Sequence, residues 1–293
     1  MSGIGLVPPK VEETQLYSTG VRWQQVTSIL PAGWQHGDHL LLAGNTIAHN
    51  WTPGHGGGVY MGGDGGAADL MGNTVRENTA GGDGGGIYLD DSADPTPILS
   101  NTVTANVAGG NGGGIYLGTT TATVQGNTFQ DNQAGADGGG GYGQGMWSAN
   151  TFADNEAAGR GGGVCAGGTL MGNVVISNTA LAGGGICLDE HSDALLVNNW
   201  IIDNQATSQG SGLLLTGPQP RLVHNTIAYN TGGAGLHVAF SSGYTSVVAL
   251  TNTILVSHEI GISVTAGCTA TLEATLWGND TDWAGGGLSL IHI

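Results

Sequence analysis

Residues 81–90 read GGDGGGIYLD and residues 109–118 read GGNGGGIYLG, so one decapeptide recurs after 28 residues. Self-similarity at a period of roughly 20 to 50 residues is the mark of stacked structural units. The tripeptide behind the glycines, Ile87-Tyr88-Leu89, alternates aliphatic, aromatic, aliphatic. That is the period-two pattern of a strand with one buried face, which places Ile87 and Leu89 inward and Tyr88 outward.

Working outward from the decapeptide, the glycine phrase returns at residues 56–60, 84–88, 112–116, 138–142, 161–165 and 183–187, then decays to Gly210-Ser211-Gly212-Leu213 and Gly233-Ala234-Gly235-Leu236. Between these corners runs a column of asparagines, Asn45, Asn73, Asn101, Asn127, Asn150, Asn173, Asn199, Asn225 and Asn252, at steps of 28, 28, 26, 23, 23, 26, 26 and 27 residues. A second asparagine follows five positions later, from Asn50 to Asn230, with Ser257 in its place in the ninth copy; a weaker tenth copy keeps Leu276 and Asn279. A short apolar run such as Ile98-Leu99 precedes each first asparagine. Each period therefore holds three short strands, and no segment shows a long 3.6-residue repeat.

Such a coil can neither close its own hydrogen bonds nor bury its own aliphatics, so it must stack on copies of itself as parallel strands about 4.8 Å apart. The expected fold is all-β: a right-handed single-stranded parallel β-helix of about nine to ten coils over residues 41–287, the hand following from that of parallel crossovers. Residues 1–40 are expected to form a cap or incomplete coil. The asparagines are expected to pass amide hydrogen bonds from coil to coil and the glycines to supply a bend with positive φ. Leucine-rich repeats share the period but require leucines where glycine dominates here, and the calcium-binding nonapeptide roll requires an aspartate where Gly86 stands.

Composition narrows the partners. Five Lys+Arg stand against 22 Asp+Glu, a formal charge of −17, which repels phosphate backbones and anionic membrane surfaces. Nucleic acid is thus excluded as an expected partner. No run approaches the roughly 20 apolar residues of a membrane span, and residues 1–9 lack the basic start and apolar run of a secretory signal. The three cysteines lack metal-ligand spacing. Cys165 and Cys187 hold equivalent positions on adjacent coils and are expected close enough for a disulfide; Cys268 has no such neighbour and is expected free. Residues 288–293, LSLIHI, also match the conceptual translation of a transposase adaptor used in sequencing libraries, so they are expected to be a non-native tail on a chain that naturally continues.

The pairing of a GG[GA][IVL] phrase, as in Gly84-Gly85-Gly86-Ile87, with [FIV]-x-x-N, as in Phe129-Gln130-Asp131-Asn132 and Phe152-Ala153-Asp154-Asn155, resembles the repeats of chlamydial polymorphic outer membrane proteins, and right-handed β-helix repeat proteins of bacterial surfaces generally. The resemblance covers residues 40 to 287. It implies an extracellular or cell-surface scaffold acting in adhesion or in binding polysaccharide or a neighbouring cell surface, without catalysis. The alternative is a carbohydrate-active enzyme, a polysaccharide lyase or glycoside hydrolase of the pectin-lyase-like class.

Candidate chemistry lies in the outward columns. Tyr60, Tyr88, Tyr116 and Tyr142, continued by Cys165 and Cys187, either form a platform for sugar rings or simply stack to stabilise the sheet. Before each glycine corner stand His55, Asp83, Asn111, Asp137, Arg160 and Ala182; Asp83, Asp137 and Arg160 loosely imitate the acidic and basic residues of β-helix lyases, whereas turns favour Asp and Asn in any case. Glu77, Asp131, Asp154 and Asp203 precede second asparagines, and Asp131 with Asp154 are candidates to share a cation such as Ca2+. No other cofactor is expected. Gly54-His55-Gly56 belongs to the repeat, and His36-Gly37-Asp38-His39 reads as a turn or cap.

Overall fold

The computed structural model describes residues 14–16, 40–62, 68–90, 97–118, 122–188, 194–217, 219–240 and 245–292. Every described strand pair is parallel, from Thr14–Leu16 against Leu40–Ala43 to Thr269–Glu273 against Leu288–His292, and most run without a break in register; the third sheet shifts register where Glu156–Arg160, Thr179–Ala182 and Gln205–Gln209 pair. The strands gather into three sheets of twenty, ten and seven strands, a parallel β-helix with three walls. Of the cap expected over residues 1–40, only the strand Thr14–Leu16 and Leu40 lie within the described residues. Leu288–His292 pairs with the preceding coil across a register shift.

Most of the variation in period falls in the first wall, with smaller changes before the glycine corners at Gly183 and Gly233. In the two 23-residue steps, the strands Gly141–Ser148 and Val164–Met171 run unbroken along the first wall. In a longer coil the same wall carries two separate described strands, Ile87–Leu89 and Pro97–Leu99. Whereas the third sheet shifts register, the second sheet, Thr46–Ala48 through Leu276–Gly278, pairs without a register break throughout. Its inward column runs Ile47, Val75, Val103, Phe129, Phe152, Val175 and onward, all essentially without exposure; each such side chain contributes about 1.5–3 kcal/mol of hydrophobic stabilisation. Phe129 and Phe152 stack with centroids 5.0 Å apart.

Both asparagine columns form ladders at the corners flanking the second sheet. Asn132 is representative: its Oδ1 accepts from the backbone N–H and from Nδ2 of Asn106, both at 3.0 Å, while its own Nδ2 donates to the Val103 carbonyl at 2.9 Å and to Asn155 Oδ1 at 3.0 Å. The left-handed geometry falls on the residue before each second asparagine, with φ from 54° to 58° at His49, Glu77, Ala105, Asp131, Asp154, Ser177, Asp203 and Tyr229. That conformation is costly for a side chain. The asparagine beside it stays free to turn inward and bond, which is what holds the corner.

Asn252 departs from the expected ladder. Leu255, not Ile254, pairs with Ile227 and takes the inward place. This one-residue shift moves Asn252 to the exposed left-handed corner with φ 47° and brings Thr253 into the ladder column. The same shift replaces Ser257 by His258 in the second ladder. In the tenth copy Leu276 faces outward and Trp277 packs on the core.

The glycine triplet answers two demands. The first glycine has positive φ, 65° at Gly84. The third has ordinary φ, but a Cβ on Gly86 would lie 2.6 Å from the Gly114 carbonyl oxygen of the next coil, closer than atoms pack.

Candidate functional site

The column before the glycine corner is a third ladder, running the other way. Asp83 N–H donates to His55 Nδ1 at 2.9 Å, Asn111 N–H to Asp83 Oδ1 at 2.6 Å, Asp137 N–H to Asn111 Oδ1 at 3.1 Å and Arg160 N–H to Asp137 Oδ1 at 2.7 Å. The Arg160 guanidinium also donates to Asp137 Oδ2 from Nη2 at 2.8 Å and Nε at 3.2 Å. Asp83 and Asp137 therefore each have one carboxylate oxygen committed to backbone, and Asn111 lies between their charges. Asp137 and Arg160 are brought together; Asp83 stands two coils from Asp137 and does not join them.

The tyrosines stand as expected on an outward column, half-buried: Tyr88 and Tyr116 each lie between two buried aliphatics, Tyr60 follows buried Val59, and Tyr142 is flanked by Gly141 and Gly143. Their centroids lie 5.2, 4.9 and 5.3 Å apart with planes within 11° of parallel. Nearly parallel rings this close cannot lie side by side in one plane, so their faces overlap in an offset stack. The column consequently presents ring edges and hydroxyls along its length rather than a row of open faces. His55 leans on Tyr88 with centroids 4.8 Å apart. Tyr60 donates its hydroxyl to Asp90 Oδ2 at 3.1 Å, and burial, reinforced by this carboxylate, raises its phenol above the usual value. Farther along, the column is no longer exposed: Cys165, Cys187, Leu214 and His237 are all buried. Cys165 and Cys187 are joined as a disulfide with Cα atoms 4.4 Å apart, and Cys268 is free and buried.

Asp131 and Asp154 occupy exposed left-handed corners of adjacent coils, as does Asp203, and Glu77 does likewise. Glu77 accepts from His49 at 2.7 Å and from Arg76 at 3.0 Å. Among the described residues no three His, Cys, Asp or Glu side chains converge as a cation site. The segment His36-Gly37-Asp38-His39 lies outside the described residues.

Two residues were missed by reading repeats alone. His258 sits in the second ladder and His237 in the tyrosine column, both buried, and burial lowers the pKa of each below its usual value. The signal that could have found His258 was the alternation Thr253 inward, Ile254 outward, Leu255 inward, which a fixed asparagine alignment obscured.

Comparison with known proteins agrees with the geometry. A family model described as periplasmic copper-binding protein (NosD) matches residues 32–156, and one described as right handed beta helix region matches residues 111–279. No curated protein and no solved structure matches the chain. Among the described residues no helix is long and apolar enough to cross a membrane. The second of these family models spans more than half of the 293 residues, and with three walls of parallel strands the chain belongs to the right-handed β-helix family.

Proposed function

We propose that this protein is a non-enzymatic β-helix scaffold working outside the cytoplasm, at the cell surface or in the periplasm, and that it binds glycans along the tyrosine column. The observation that supports a scaffold most directly is the third ladder: the side chains best suited to acid–base work, Asp83 and Asp137, are tied to the backbone of the next coil. The buried Cys165–Cys187 disulfide favours an oxidising compartment. The overlapped tyrosines would hold a ligand by hydroxyls repeating at the coil spacing, and the charge of −17 favours neutral over acidic glycans.

The similarity to a family described as copper-binding finds no matching site among the described residues. Within the matched segment His49 is engaged by Glu77, His55 by the Asp83 backbone, and no three His, Cys, Asp or Glu side chains converge among the described residues.

A glycan array paired with a polysaccharide turnover assay tests the reading. The expected result is binding of neutral glycans, weakened at least about tenfold in the Tyr88→Phe/Tyr116→Phe variant, which loses two hydroxyl hydrogen bonds but keeps the stack. Unchanged binding in that variant overturns the site; turnover abolished by Asp137→Ala overturns the scaffold reading in favour of the enzyme.

A further inference from the structure

The second ladder is built of asparagine from Asn50 to Asn230, then of His258, then of Asn279. Nε2 of His258 lies 3.2 Å from Asn230 Nδ2, its Nδ1 lies 2.9 Å from Asn279 Oδ1, and its backbone N–H donates to that same oxygen at 3.1 Å. Neither amide is free to flip. Asn230 Nδ2 donates to the Ile201 carbonyl while its Oδ1 accepts from Asn204, and Asn279 Nδ2 donates to the Leu255 carbonyl.

Asn230 therefore meets the ring as a donor and Asn279 meets it as an acceptor. One form of imidazole satisfies both: neutral, with the proton on Nδ1 and the lone pair on Nε2. In this form the ring copies the polarity of an asparagine amide. The corner glycine Gly235 makes room for it, since a Cβ there would lie 2.6 Å from ring atoms.

We propose that His258 is a proton-operated joint, at which acidification breaks the ladder between Asn230 and Asn279 and loosens the last coils while the asparagine stack before it stays closed. An imidazolium has no lone pair to accept from Asn230 Nδ2 and turns a second N–H against that amide. The buried strand beneath the ring contributes uncharged Gly235, and Asn230 on the preceding coil is neutral. The carboxylates near it are Glu259, its chain neighbour, and Asp280 and Asp282 on the next coil; Glu259, Asp280 and Asp282 are exposed, and Asp282 reaches Asn279 at 3.3 Å. These charges favour the imidazolium, as does the bond to Asn279, but burial outweighs them and the net direction is downward.

The sign follows from that direction. Above the usual histidine range the ring is neutral folded or unfolded, and the joint is intact. As pH falls through the unfolded value, the unfolded chain takes up the proton first, and stability is lost until the folded ring protonates as well.

Hydrogen exchange of the full chain at pH 7.5 and 5.0, corrected for intrinsic rates, reads the joint directly. Expected is a loss of protection of about tenfold or more over residues 252–287 at the lower pH, with the rungs from Asn101 to Asn204 unchanged. His258→Asn, which restores the column's amide, should abolish the loss, whereas His237→Leu should keep it. Equal protection at both pH values, or the same loss in His258→Asn, overturns the proposal. If that variant fails to fold, nitrogen-15 NMR of the wild-type ring decides: a proton on Nδ1 supports the joint, and one on Nε2 overturns it.

Discussion

Trp147 fills the space that Gly141 leaves. A Cβ on Gly141 would lie 3.0 Å from Cη2 and 3.2 Å from Cζ3 of the indole, and both residues belong to the unbroken strand Gly141–Ser148. On the neighbouring coils the same two columns hold Ile115 with Val124 and Val164 with Leu170. One coil has exchanged two medium side chains for one large and one absent, and the indole N–H buried there has no partner.

This exchange predicts strong coupling. Gly141→Val alone should overpack the core by about 1–3 kcal/mol, and Trp147→Leu alone should open a cavity costing about 3 kcal/mol. The double variant should cost less than the sum by at least about 1 kcal/mol. Urea denaturation of the four proteins measures this, and additivity would refute the compensation.

Removing one ladder rung should cost more than one hydrogen bond. Asn132→Ala strips the side-chain partner from the buried Asn106 backbone N–H and the second of two donors from the Val103 carbonyl, which keeps its bond within the sheet. One orphaned buried N–H at about 1–3 kcal/mol, with the other amide bonds lost, gives an expected loss of about 2–3 kcal/mol. A loss below about 1 kcal/mol in a denaturant titration would show that the ladder is not what holds these corners.

The glycines should divide by cause. Gly72 has φ 63° and open space around its missing Cβ, so Gly72→Asn should change stability by less than about 1 kcal/mol, since asparagine tolerates that region. Gly86→Ala drives a methyl against the Gly114 carbonyl of the next coil and should fall among the severe substitutions, above about 4 kcal/mol. Similar melting shifts for the two would contradict the distinction.

Non-reducing peptide mapping should recover Cys165 linked to Cys187 and Cys268 as a free thiol once the protein is unfolded. The bridge closes a separation of 22 residues, so the Cys165→Ser/Cys187→Ser variant should lose about 3 kcal/mol by chain-entropy arithmetic. An unchanged melting temperature on reduction would mean that stacking alone already restrains the two coils.

The outward face of the second sheet changes from threonine at Thr46, Thr74, Thr102, Thr128 and Thr151 to Val174 and then Trp200, which is 59% exposed. Trp200→Thr, restoring the earlier residue of the column, should alter stability by no more than about 0.5 kcal/mol. A larger loss in calorimetry would reveal packing beneath that indole.

The repeat itself was legible in the chain. A short phrase with inward residues at alternate positions, returning every 23 to 28 residues, leaves stacking as the only way to satisfy its backbone and bury its aliphatics, and so the walls, the ladder from Asn45 to Asn225 and the closeness of Cys165 to Cys187 follow from sequence, the bond between them coming only with the structure. Register was not legible, because a strand slipped by one residue reads almost as well until its neighbours are in place. Contact with the preceding coil put Leu255 rather than Ile254 inside, sent Asn252 to the corner and placed His258 in the ladder. The use of polar columns was equally hidden: whether Asp83 and Asp137 face a ligand or bind the next coil's amides depends on where that coil's N–H groups point, and only the stacked backbone decides it.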